Sequence, residues 1–334
     1  MSFEKRELAG HKIKPIGLGC MSLSQGYLPL PSEADGEKLL HHAIDIGYDV
    51  FDTARLYGRG HNEELLSRVL KTRRSEVFLS SKCGIEFGDG KRWIDCKPET
   101  IRRAVDKSLV TMGVDFINLY YLHRRDFTVP IEESVGALAD LRSEGKIGAI
   151  GLSEMSADTL CRAAREHPIA AMQTEFSLWT RNPELGVLEA CKELGTTFVA
   201  FSPVGRGALA DTALNPSRFE TKDLRYPYPR FGADHWPHNS KLIAALNELA
   251  READLTMAQL ALGWVLAQGD HIVAIPGTGK ISHLEENLAT LSKPVPSDML
   301  ERAGQLINQS TVSGHRYPDD DMRRTIDTEE YEPV

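Results

Sequence analysis

The sequence predicts an α/β protein, a single (β/α)8 TIM barrel with an N-terminal β-hairpin plug and a C-terminal extension. Short apolar runs alternate with amphipathic stretches of helical period from about residue 17 to residue 292, which is the rhythm of parallel strands joined by crossover helices. There are eight such apolar runs, the number that closes a barrel. The length of 334 residues is one that a single barrel commonly uses.

In chain order, segments 6–8 and 12–14 flank Ala9-Gly10-His11, a short glycine-containing connection expected to form a hairpin that plugs the closed end of the barrel. The strand candidates are 16–21, 50–52, 77–82, 116–123, 147–153, 171–174, 197–201 and 271–275. Between them Ser32 opens a helix with Leu39, Leu40, Ala43 and Ile44 on one face. Asn62 is expected to cap another that carries Leu65, Leu66, Val69 and Leu70. Pro98 suits a first helical position ahead of Ile101, Ala104, Val105 and Leu109. These stripes are ordinary core.

Two stretches break the rhythm. Residues 205–239, which contain Arg225-Tyr226-Pro227-Tyr228-Pro229-Arg230-Phe231, are too long and proline-rich for a plain connector, and read equally as a functional loop or lid and as a mobile insertion. After Ile307 little apolar material remains. The expected division is therefore a barrel domain over 1–310 and a flexible tail over 311–334, in which Pro318-Asp319-Asp320-Asp321 precedes Arg323-Arg324.

Composition narrows the partners. Acidic side chains outnumber basic ones 48 to 39, a formal charge of −9 with no basic run, which disfavours nucleic acid. No stretch approaches the roughly 18 apolar residues a membrane span requires. Met1-Ser2-Phe3-Glu4-Lys5-Arg6 has no apolar segment behind its charges, so a cytoplasmic protein is expected. The scattered Cys20, Cys83, Cys96, Cys161 and Cys191 contain no C-x-x-C pair and suggest neither a disulfide framework nor a zinc site. His235-Trp236-Pro237-His238 is not read as a metal site, and no metal is expected.

Four candidate residues fall at or just beyond the C-terminal ends of expected strands, where barrel enzymes place their active sites: Asp52, Tyr57, Lys82 and His123. Taken singly, each has a plain structural explanation as a turn cap, a loop aromatic, a solvated lysine or a strand-end histidine. Together they compose a proton-transfer site. A carbonyl that receives hydride needs a proton at the developing alkoxide, and a phenol of pKa about 10 is a poor donor near neutrality unless a cation stabilises its phenolate. Lys82 supplies that cation, Asp52 keeps the ammonium charged, and His123 orients and polarises the carbonyl oxygen.

Phe51-Asp52-Thr53-Ala54-Arg55-Leu56-Tyr57-Gly58 with Asn62-Glu63, the strand ending Ser81-Lys82, and Leu122-His123 resemble the signatures of the aldo-keto reductase family over roughly residues 6 to 307. The resemblance implies a catalytic tetrad of Asp52, Tyr57, Lys82 and His123, and an NAD(P)H-dependent oxidoreductase acting on an aldehyde, a ketone or the corresponding alcohol. Asn62 stands where the common form of the motif has Ser.

The resemblance extends to a nicotinamide cofactor. Gly151-Leu152-Ser153-Glu154 and Met172-Gln173-Thr174-Glu175-Phe176 are similar to the segments that hold the carboxamide, which implies Ser153, Glu154 and Gln173 as ligands; many relatives carry Asn where Glu154 stands. Phe201 takes the place of a Tyr that stacks on the nicotinamide, and Ser202, Pro203, Gly205 and Arg206 follow in the loop that approaches the pyrophosphate. Gly277, Thr278, Lys280 and His283 match the adenosine-end segment, with Thr278 and Lys280 implied at a ribose 2′-phosphate and Glu286 and Asn287 at adenine. NADP(H) is expected in preference to NAD(H), although His283 stands where many NADP-preferring relatives have Arg. By the same analogy the substrate pocket takes Met21, Tyr27, Phe87, Trp93, Arg124 and the 225–231 loop, whose aromatic bias suits a hydrophobic aldehyde or ketone.

Gly17-Leu18-Gly19-Cys20-Met21-Ser22 lacks the third glycine of a dinucleotide fingerprint, and Gly279-Lys280 lacks the flanking Gly and Ser/Thr of a P-loop. Two other readings of the barrel stand beside the reductase. One is an NADP(H)-binding regulatory or sensor subunit with little turnover. The other is an aldolase in which Lys82 forms a Schiff base, against which the carboxylate at Asp52 speaks.

Overall fold

The computed structural model describes residues 4–210, 213–293, 295–318 and 325–331. Its first strands, β1 (Arg6–Leu8) and β2 (His11–Ile13), pair antiparallel with Leu8 opposite His11. The two-residue turn between them puts Ala9 and Gly10 at φ 50° and 79°, the left-handed pair that a tight hairpin requires. Leu8 and Ile13 pack against Val50, Phe78, Leu119, Tyr121, Ala171, Val199 and Val273 in one buried cluster. These are the inward-facing residues of the barrel, so the hairpin is the plug the sequence predicts.

The barrel strands are β3 (Leu18–Gly19), β4 (Val50–Asp52), β5 (Phe78–Cys83), β8 (Ile117–Leu122), β9 (Ile147–Ser153), β10 (Ala171–Glu175), β11 (Thr197–Phe201) and β12 (Ile272–Ile275). They form one parallel sheet of eight in the order β12-β11-β10-β9-β8-β5-β4-β3. The sheet closes where Ile16 bridges Ala274 and Gly19 bridges Gly277, both parallel. Glycine is required at this seam, because a Cβ on Gly19 would stand 2.7 Å from the Ile275 carbonyl oxygen. Between β5 and β8 a second antiparallel hairpin stands apart from the barrel, β6 (Ile85–Gly88) and β7 (Lys91–Ile94), which is not among the expected strands. Its polar, glycine-bearing turn carries no apolar alternation to announce it.

Helices α1 (Glu33–Asp45), α2 (His61–Arg73), α3 (Pro98–Met112), α4 (Ile131–Ser143), α5 (Ala157–Glu166), α6 (Val187–Leu194), α7 (Trp236–Glu252), α8 (Met257–Ala267), α9 (Ile281–Ala289) and α10 (Ser297–Leu306) pack outside the sheet. The Ser32 side chain accepts from the Asp35 N–H and so caps α1, and Pro98 is the first residue of α3. Asn62 is not a cap. Helix α2 starts one residue earlier, after Gly60 at φ 101°, and Asn62 is buried with its side-chain amide donating to the Cys20 carbonyl and the Ser24 hydroxyl.

Within the expected flexible tail of 311–334, the described residues 311–318 and 325–331 are packed on the barrel. Arg316 and Tyr317 are 2% and 3% exposed. Asp327 bridges Met155 in parallel fashion, and the Asp327 carboxylate accepts from the Thr159 hydroxyl at 2.5 Å. Glu329 accepts from the Ala157 N–H at 2.8 Å, at the start of α5. The tail thus docks through buried charge and helix-end hydrogen bonds together with the buried Tyr317 and Ile326, which join the main core. Its Asp319-Asp320-Asp321 and Arg323-Arg324 motifs lie outside the described residues.

The 205–239 segment is packed as well where described. Asp223 accepts from Arg225 and from the Leu28 N–H, which ties the segment to the loop after β3. Tyr228 and Phe231 are buried. Among the described residues no helix is long and apolar enough to cross a membrane, and no three or more His, Cys, Asp or Glu are grouped to hold a metal ion.

Candidate active site

Three strand ends and the turn that follows one of them converge at one mouth of the barrel. Asp52 ends β4, Lys82 lies near the end of β5, and His123 follows β8 directly. Tyr57 stands five residues past Asp52 in a turn, where the Tyr57 N–H donates to the Ala54 carbonyl at 3.0 Å. Pairing of β4 with β5 sets Asp52 opposite Ser80, and pairing of β5 with β8 sets Lys82 opposite Tyr121. Register thus sets Lys82 two residues beyond the partner of Asp52 on the neighbouring strand, and its long side chain reaches the carboxylate.

The Lys82 side chain is fully buried. Its ammonium donates to Asp52 Oδ1, to the Thr53 carbonyl at 2.8 Å and to the Tyr57 hydroxyl at 3.5 Å. It also lies over the rings of Tyr57 and Tyr121, 5.2 and 5.6 Å from their centroids. Asp52 Oδ2 accepts from the Ser80 hydroxyl at 2.7 Å and from Gln173 Nε2 at 3.0 Å, so the carboxylate is held from three sides. Burial works to discharge Lys82, but Asp52 and Tyr57 outweigh it and hold the ammonium above the ordinary lysine range.

Burial raises the phenol of Tyr57 while Lys82 opposes the rise, so Tyr57 rests protonated with a cation ready beside its oxygen. The imidazole of His123 meets the Tyr57 ring edge-on, with centroids 5.8 Å apart. Burial first, then the charges of Arg124, Lys82 and Arg92, push His123 well below the ordinary histidine range. It is a neutral hydrogen-bond donor, not a cation.

From this corner a cleft of about 1250 Å³ runs across the barrel mouth. Of the residues expected at a nicotinamide, Ser153, Gln173 and Phe201 line it; Ser202, Pro203 and Arg206 follow. Gly277, Thr278, Lys280, His283, Glu286 and Asn287 line its far end, joined by Lys38 and Ser282. Gly205 does not line the cleft, whereas Gly207 does. Among the expected substrate contacts, Met21, Tyr27, Trp93 and Arg124 line the cleft, as do Arg225 and Tyr228 of the 225–231 loop. Phe87 instead packs behind Tyr57 with Ala54 and Leu56.

Glu154 departs most from expectation. It sits at φ 55° with no exposed surface, outside the cleft lining. Its carboxylate accepts from both terminal nitrogens of Arg316, at 3.2 and 2.7 Å, and from the Glu175 N–H at 2.9 Å. The oxygens expected to meet a carboxamide are thus taken by the C-terminal tail. Glu175 receives Arg206 at 2.7 Å, and the Arg206 guanidinium lies 4.6 and 5.8 Å from the ring centroids of Tyr228 and Tyr317. Tyr317 lines the cleft. Nothing in the sequence singles out Arg316 or Tyr317, because their partners are distant in the chain and no periodicity marks them.

The aldo/keto reductase family model matches residues 15–308. The chain belongs to the aldo/keto reductase family. This reductase is 38% identical over 325 residues to an aldo-keto reductase of Schizosaccharomyces pombe named for NADP(+), which covers 95% of each chain. It is 39% identical over 312 residues to a probable aldo-keto reductase of Glycine max, covering 92% of this chain and 89% of that one. Among solved structures it matches the glycerol dehydrogenase of Gluconobacter oxydans with a TM-score of 0.84 at 26% identity, over 96% of this reductase and 99% of that chain. An aldo-keto reductase of Bacillus halodurans matches with a TM-score of 0.76 at 26% identity, over 94% of this reductase and 100% of that chain. This aldo/keto reductase is an oxidoreductase, and its fold is the expected (β/α)8 barrel.

Proposed function

We propose that this enzyme passes hydride between NADP(H) and an aldehyde or ketone, or in reverse from the corresponding alcohol. The observation that carries the reading is the buried Lys82 ammonium, held by Asp52 on one side and 3.5 Å from the Tyr57 hydroxyl on the other. The cleft suits a dinucleotide by its donor set. Ser153 and Gln173 would hold the carboxamide, Phe201 offers a stacking face, and the 202–207 turn would take the pyrophosphate. Thr278 Oγ1 accepts the Lys280 N–H at 3.0 Å and shapes the turn ahead of α9. Lys280, which has no ion pair among the described residues, would take a 2′-phosphate. The NADP(+) in the name of the Schizosaccharomyces pombe relative supports this preference.

A bound nicotinamide supplies the hydride or accepts it. The protonated Tyr57 hydroxyl gives its proton to the carbonyl oxygen, and Lys82 stabilises the phenolate left behind; alcohol oxidation runs the same transfer backward. Neutral His123 donates an N–H to the same oxygen and fixes its direction. Asp52 acts through Lys82 by keeping it charged. A lysine held protonated in this way is a poor Schiff-base nucleophile, which weighs against the aldolase reading.

The test is Tyr57→Phe. It is expected to lower kcat/KM for carbonyl reduction by about 10²- to 10⁴-fold while NADPH still binds, as read by nicotinamide absorbance and fluorescence titration. Unchanged turnover would remove Tyr57 from the mechanism. Tight NADPH binding by the wild type without turnover of any carbonyl would favour the sensor.

A further inference from the structure

We propose that the substrate end of the cleft recognises carbonyl compounds that carry an anionic group, with the Arg124 guanidinium as the binding element and Arg92 as a second cation at the rim. The proposal rests on the reductase reading and names the substrate class of that site.

Arg124 follows His123 and lines the cleft half-buried. One of its nitrogens donates to the carbonyl of His123 at 2.6 Å. No carboxylate stands within ion-pair distance of it among the described residues, and a guanidinium has five N–H donors to satisfy. Four other cations at or behind the barrel mouth are each given an acid: Lys82 has Asp52, Arg206 has Glu175, Arg225 has Asp223 and Arg316 has Glu154. Glu154 feels the charge of Arg124, but its oxygens are occupied by Arg316 and the Glu175 N–H.

Arg124 shares the cleft lining with Tyr57, His123, Tyr228 and Tyr317, and its charge is felt at each of them. Arg92, on β7, also lines the cleft, is exposed, has no ion pair among the described residues, and adds its charge at His123. The other acids of the cleft lining besides Asp52, namely Asp35 and Glu286, are on α1 and α9, with the residues of the adenosine end. A half-buried guanidinium with no acid beside it, next to the residues that would receive the carbonyl, is costly unless an anion completes it. The chain as a whole carries a formal charge of −9, so this positive locus is local. A carboxylate or phosphate matches its fork of donors, and the surrounding aromatic faces suit the body of a small molecule whose carbonyl meets Tyr57 and His123.

Two matched pairs test this with NADPH: 4-formylbenzoate against its methyl ester, and glyceraldehyde 3-phosphate against glyceraldehyde. The expected result is a kcat/KM ratio that favours the anion in at least one pair, the carboxylate and phosphate arms identifying which anion is preferred. Arg124→Gln is expected to lower that ratio by about 10- to 100-fold, chiefly through KM, and Arg124→Lys to restore part of it. Using the ratio removes any general effect of the variant on His123. An independent reading is the quenching of tryptophan fluorescence by 4-(hydroxymethyl)benzoate without cofactor, where Arg124→Gln should weaken the dissociation constant by a similar factor. Ratios near one in both pairs, or a ratio and a dissociation constant that Arg124→Gln does not move, would overturn the proposal. Absence of turnover with all four compounds would count against the reductase reading instead, and the titration then decides the anion site alone.

Discussion

Arg316→Met removes the guanidinium that the C-terminal tail inserts behind the cleft. Arg316 Nη2 lies 2.7 Å from Glu154 Oε2 and Nη1 lies 3.5 Å from Glu175 Oε2, with the side chains 1%, 0% and 3% exposed. Deleting one partner of a pair this buried leaves a carboxylate without its counter-charge, which costs about 3–5 kcal/mol of folding stability. In the double variant Glu154→Gln/Arg316→Met no charge is stranded, so a coupling of about 2–3 kcal/mol is expected between the two sites.

The pH dependence has a definite sign. In the wild type burial pushes the Glu154 carboxyl up, but Arg316 and Arg124 outweigh it and hold it below the ordinary value of 4.5. Its contribution is present above 4.5 and is lost only as pH falls through the lower folded value. Without Arg316 burial prevails and the folded value rises above 4.5. The destabilisation of the variant then grows as pH rises from 4.5 through that raised value, and is smallest under acid. Urea unfolding of the four proteins of the cycle across acid to neutral pH measures both quantities. A loss that is the same at every pH, with no coupling to Glu154→Gln, would mean that the Arg316 side chain only fills space.

Other consequences follow from the same geometry. Lys82→Met removes the cation that opposes the burial of Tyr57, so the phenol rises further and the pH at which alcohol oxidation sets in moves upward; an unmoved profile would deny Lys82 its role. Lys280→Met is expected to weaken NADPH by about tenfold or more and NADH little, read by fluorescence titration; equal effects on both would place the lysine away from the 2′-phosphate. In Gly151→Ala the new methyl would lie 2.3 Å from the ring of Tyr121, which underlies Lys82. A stability loss of at least about 1–3 kcal/mol is expected by thermal or urea unfolding, and a neutral result would mean that the ring has room to turn.

The barrel was legible in the sequence because a strand buried on both faces must be an unbroken apolar run, and its crossover helix must repeat apolar residues at helical spacing. The eight strands stand within a few residues of the expected positions, the shortest being β3, where Gly17 and Gly19 admit close neighbours at the seam. Asp52, Tyr57, Lys82 and His123 were legible for a related reason. Polar residues that end apolar strands in such a barrel all emerge at one mouth, and strand register then sets their level.

What the sequence did not disclose depends on partners far along the chain. Whether Glu154 faces the cleft or turns away is decided by Arg316, 162 residues later, and the two meet only once the tail has folded across the barrel. The hairpin of β6 and β7, the interior role of Asn62 and the placement of Tyr317 in the cleft likewise follow from packing between separate segments. Local patterning determines which residues form strands, helices and the polar corner proposed as catalytic, because those choices depend on neighbours one to four residues away. The tertiary structure alone decides which buried charges find partners and which cation is left facing the cleft, because a charge out of water is stable only where another segment brings it a counter-charge.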